Sequence, residues 1–92
     1  MTMFHSMHAT IARLNADKLR ATPHVVPQPG LLRTVMGDDV FLAALDERRR
    51  WIAAHCDEKI GMSDLRDVQG HTIGKSYHFA RELDAIAFRL MF

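Results

Sequence analysis

Six histidines, one cysteine and the run GHTIGKS at residues 70–76 are the parts of this sequence with the most chemistry in them. The run resembles a phosphate-binding loop, which uses successive backbone N–H groups to wrap phosphate oxygens. The loop needs four residues between its first glycine and the Gly-Lys-Ser, and here there are three. No strand is expected before it, so the run reads as a turn and a helix start. His5 and His8 share a helical face, and His55, His71 and His78 lie near Cys56 in sequence terms. None of these pairs has the spacing of a zinc finger or zincin, and a single cysteine excludes the common Cys-rich structural sites. His55 points about 100° away from Cys56 on a helix and so cannot serve it as a base. No Ser-His-Asp order and no glycine elbow is present. The expectation is therefore a protein that is not an enzyme, with no catalytic residue, no cofactor and no metal.

Composition narrows the class. Ninety-two residues make one domain at most, and a chain this short has a marginal core. One cysteine allows no internal disulfide, which is the usage of a reducing compartment. The formal charge is +1, with residues 1–37 carrying four Lys/Arg against Asp17 alone. That field is too weak to steer nucleic acid or an anionic membrane. No run approaches the length of a membrane span, and MTMFHSMHAT lacks the basic region and apolar run of a signal peptide. A cytoplasmic protein without membrane contact is expected.

The elements that would position these residues follow from periodicity. Met3, Phe4, Met7, Ile11 and Leu14 recur at helical spacing, giving a helix over residues 1–22 that Thr22-Pro23 stops. PHVVPQPGLL holds all three prolines and predicts an extended arm within residues 23–37. Its Val25, Val26, Leu31 and Leu32 are too apolar for a solvated linker, so the arm should lie on later helices or on a partner. Asp38 or Asp39 caps a second helix running to about Lys59, with Phe41, Ala44, Leu45, Ile52 and Cys56 on one face and Arg48 inside that stripe. A short helix is expected over residues 64–69, ended by Gly70, and a long one from Thr72 to Phe92. The predicted fold is all-α, a small irregular bundle of three to four helices: a first helix over 1–22, the Pro-rich arm over 23–37 and a helical core over 38–92.

The last helix has two apolar sides. Phe79, Ala80, Leu83, Ile86, Ala87, Leu90 and Met91 read as its core face. Tyr77, Phe88 and Phe92, with Arg81 and Ala85 among them, make a second stripe that the arm, a second copy or another protein must cover. Arg48 and Trp51 join this group, because Arg and Trp are frequent anchors of protein interfaces. The expected interface is thus Arg48, Trp51, Tyr77, Arg81, Phe88 and Phe92. The expected function is a small regulatory or inhibitory protein, homodimeric, that binds a larger protein through an amphipathic helical surface and could block that partner's dimerisation or DNA-binding surface. The alternative is a helix-turn-helix DNA-binding regulator built from residues 64–69, Gly70 and the last helix. Arg66, His71, Glu82 and Asp84 fit that motif poorly, and the neutral charge does not favour nucleic acid.

Overall fold

A computed structural model describes residues 21–92. The helix expected over residues 1–22, with His5 and His8, falls almost wholly outside them. The described elements are β1 (His24–Pro29), α1 (Arg33–Met36), α2 (Asp38–His55), β2 (Ile60–Arg66), β3 (Thr72–Phe79) and α3 (Glu82–Met91). The strands form one antiparallel sheet in the order β1-β3-β2. This overturns the all-α helical bundle: the fold is α+β, the short helix expected over 64–69 is the end of β2 and the hairpin turn, and the first part of the long last helix is β3.

Local chemistry explains each departure. Between β2 and β3 the Asp67 carboxylate accepts from the backbone N–H of Gln69 and of His71, each at 2.9 Å. Gly70, at φ 86°, donates to the Asp67 carbonyl at 3.0 Å. Asp at the first position and a left-handed Gly three residues later close a hairpin, where the helical reading took Gly70 for a helix stop. The arm is a strand ended by a type II turn, Gln28-Pro29-Gly30-Leu31. Proline presets its second position and Gly30 supplies φ 85° at the third, with Leu31 N–H donating to Gln28 O at 3.3 Å.

The prolines do not spoil β1, because it is an edge strand. Pro27 and Pro29 lie two residues apart, so both missing donors fall on the same, outward side. Close approach of β1 to β3 depends on Gly74. A Cβ at that position would collide with the Gln28 carbonyl oxygen and come within 3.0 Å of Pro29 Cα.

Register sorts the side chains into two faces. Val26 pairs with Tyr77, Ile60 with Phe79 and Asp64 with Lys75, and this face receives the helices. The core consists of Val26, Leu31, Phe41, Tyr77, Phe79, Ala85 and Phe88, with Trp51, Ile52, Leu45 and Phe92 packed against it. The arm therefore supplies two core residues, Val26 and Leu31, and lies within the chain.

Helix α2 begins after Gly37 (φ 84°), with Asp38 and Asp39 in its first turn at the positive end of the helix dipole. Neither aspartate caps it by a side-chain hydrogen bond, and it ends at His55 rather than near Lys59. Helix α3 starts at Glu82, ten residues after the expected Thr72, since Thr72–Phe79 is β3.

Candidate functional site

The interface residues expected from sequence are mostly brought together, but around the core. Phe88 is fully buried at the centre. Its ring lies 4.8 Å from Tyr77, 5.1 Å from Phe79, 5.0 Å from Phe92 and 5.7 Å from Trp51 between centroids. Tilted and edge-on rings at these separations add to the burial of apolar area. Tyr77 is also buried, and burial pushes its phenol above the ordinary value, opposed in part by the Arg48 charge. Phe88 cannot meet a partner while this fold is intact. Phe92 and Trp51 are half-buried, and Trp51 stacks on His55 at 4.5 Å. Arg81 stands apart, exposed in the turn between β3 and α3.

Arg48 sits in the apolar stripe of α2 for a structural reason. Its Nε and Nη2 donate to Gln28 Oε1 at 3.2 and 3.1 Å, and Nη1 donates to Ala44 O at 3.0 Å. Its guanidinium lies 4.6 Å from the Phe92 ring centroid. The planar fork thus ties α2 to β1 and to the end of α3, a task a lysine could not perform. Its acceptors are an amide and a carbonyl rather than a carboxylate.

With the aromatics inward, the two sides of α3 exchange roles. Ala85 and Phe88 face the core, while Leu83, Ile86 and Leu90 are 70%, 47% and 84% exposed. The face expected to be core is the outer surface. A second apolar surface is concave. A groove of about 480 Å³ runs between α2 and the β2–β3 hairpin. Leu42, Leu45 and Ile52 form one wall and Ile60, Met62 and Tyr77 the other. Leu42 and Met62 are more than half exposed. Asp46 and Arg49 mark one rim, and Asp46 is also bound by Arg50 Nη2 at 2.8 Å. The Arg49 and Arg50 cations hold the Asp46 carboxyl below its ordinary value.

Reactive side chains are few. Cys56 is half-buried, and burial, followed by the negative charge of Asp84, pushes its thiol above the ordinary value. Such a thiol is a poor nucleophile. Ser63 Oγ and His78 Nε2 are 2.7 Å apart on the sheet face away from the helices. His78 Nδ1 is enclosed and has no hydrogen-bond partner among the described residues, so no third group orients the imidazole as a base requires. Among the described residues no cluster of three or more His, Cys, Asp or Glu side chains could hold a metal ion, and no helix is long and apolar enough to cross a membrane.

Comparison with protein-family models, with curated proteins and with solved structures returns no match. Sequence periodicity did not identify the groove, and it took the exposed face of α3 for core. The signal that could have exposed them is the odd-numbered alternation Ile73, Tyr77, Phe79, which marks β3 as a strand and leaves α3 to begin after it.

Proposed function

We propose that this chain is a small regulatory protein that acts by binding another protein, taking an apolar, helical segment of that partner into the groove between α2 and the β2–β3 hairpin. The single observation that carries the reading is the groove itself: concave, walled by six apolar or aromatic side chains and bordered by a charged rim at Asp46 and Arg49. Helix-in-groove recognition uses this combination, with apolar anchors in the trough and charges on the rim. The single cysteine fits a reducing compartment, and we place the protein in the cytoplasm on that basis.

The DNA-binding alternative loses its scaffold. Residues 64–69, the expected first helix, are the end of β2 and the hairpin turn, and residues 72–79, the expected start of the recognition helix, are β3.

The test is comparative affinity capture from the native cytoplasm with three baits: wild type, Leu42→Glu and Met62→Lys. Both substitutions fall on exposed positions and should leave circular dichroism unchanged. The reading expects at least one protein that wild type retains and both variants lose. If every protein retained by wild type is retained equally by both variants, the groove is not the binding surface.

A further inference from the structure

We propose that α3 is a self-association helix, through whose outer face two copies of the chain meet antiparallel about a two-fold axis. Leu83, Ile86, Ala87 and Leu90 lie on the side away from Ala85 and Phe88, so a strip of apolar surface runs the length of the helix. Two features select a second copy as its occupant.

The first is charge. Glu82 and Arg89 are both exposed, and neither forms an ion pair among the described residues. They lie two turns apart, roughly 10 Å along the axis, and flank the same edge of the strip beside β1. A two-fold axis perpendicular to paired antiparallel helices keeps each flank on its own side and reverses its order. Glu82 of one copy therefore meets Arg89 of the other, and the symmetry forms the contact twice. A parallel pairing, whose two-fold axis runs along the helices, would send the Glu82–Arg89 flanks of the two copies to opposite sides of the seam and form neither contact.

The second is shape. The axis that joins Glu82 to Arg89 falls within about one residue of the one that sets Leu83 against Leu90 of the second copy. Ile86 and the small Ala87 then lie at the centre, where the helix axes can approach closely. Apolar and charged registers agree, which an arbitrary amphipathic helix does not guarantee. Ten residues make a contact only about 15 Å long, below the area of permanent dimers. The result is a weak dimer with a dissociation constant of roughly 10–100 μM. The groove lies elsewhere, so each copy keeps its own.

Light scattering on the eluting full chain, from about 5 to about 500 μM, tests this. The mass should rise with concentration towards twice 10.5 kDa. Leu90→Gln should hold it at the monomer value throughout. Glu82→Arg and Arg89→Glu should each raise the dissociation constant roughly tenfold, since attraction becomes repulsion at both symmetric contacts. The double variant should return it to within about threefold of wild type. That reversal works against the helix dipole, so it lowers monomer stability while restoring association, and a purely structural role for either charge would give no rescue. The proposal is overturned if wild type stays monomeric, if Leu90→Gln dimerises normally, or if the double variant associates no better than the singles. Should Leu90→Gln fail to fold, the charge swap alone decides.

Discussion

Phe88 and Leu90 lie two positions apart on α3, and truncating each to alanine should have very different consequences. Phe88 is fully buried among four rings, whereas Leu90 is 84% exposed. Removing a buried phenylalanine side chain costs about 3–5 kcal/mol, combining lost transfer energy with the cavity left behind. The site cannot collapse easily, because Tyr77 and Phe79 are fixed by the central strand and Trp51 by a long helix. The upper half of that range is therefore expected. A domain of this size has about 5–10 kcal/mol of stability in total, so Phe88→Ala should remove about half of it or more. With a urea slope of about 1–2 kcal/mol/M, the midpoint should fall by roughly 2–5 M. Leu90→Ala should stay within about 0.5 kcal/mol of wild type at concentrations where the chain is monomeric. Urea titrations followed by far-ultraviolet circular dichroism and by the fluorescence of Trp51, the only tryptophan, measure both. If Leu90→Ala costs as much as Phe88→Ala, or Phe88→Ala leaves the midpoint in place, α3 is rotated relative to the sheet and the assignment of inner and outer faces is wrong.

Two further predictions concern titration. Tyr77 is the only tyrosine and its phenol is raised by burial, so the tyrosinate absorbance should develop only above its ordinary value of 10.0. A folded-state value raised above the unfolded one gives stability that is complete below about pH 10 and is lost as pH climbs past it. The absorbance change should accordingly coincide with loss of circular dichroism, and ionisation at the ordinary pH with the fold intact would place the phenol in water. Cys56 should react with iodoacetamide near pH 8 more slowly than a free thiol, because burial and the Asp84 charge both disfavour the thiolate. Asp84→Asn should speed that reaction, and an unchanged rate would remove Asp84 as a cause.

Parts of this structure were legible in the sequence. The amphipathic stripe of α2 was readable because Phe41, Ala44, Leu45 and Ile52 recur at helical spacing over many turns. The arm was correctly expected to be extended and too apolar for solvent, since three prolines fix the backbone and four aliphatics need cover. Its role as a strand was hidden, because prolines argue against a sheet everywhere except on an edge. The hairpin was lost to an ambiguity of Gly70, which ends a helix or closes a turn with the same left-handed backbone. From there the error spread. With Thr72–Phe79 read as helix, Phe79 joined Leu83 and Ile86 on one helical face, and the outer side of α3 was taken for the core. The aromatics Trp51, Tyr77, Phe88 and Phe92 were singled out as interface residues and are gathered around the core instead, because periodicity alone does not say whether such rings lie inside the chain or between chains.

The sheet order has a consequence for how the chain reaches this state. β3 is central, and its two neighbours come to it on different timescales. β2 precedes it by a short turn, and such a hairpin closes in about 1–10 μs. β1 lies roughly fifty residues upstream, so its docking must first meet the closure entropy of a long loop. During that interval the β1-facing edge of β3 is an unpaired row of donors and acceptors beside Tyr77 and Phe79, the pattern that templates aggregation. The strand that eventually covers it has prolines on its outer side, so the finished sheet does not offer another equally adhesive edge there. The hazard in this fold belongs to the journey rather than the destination, and slow refolding at high concentration is where it would be felt.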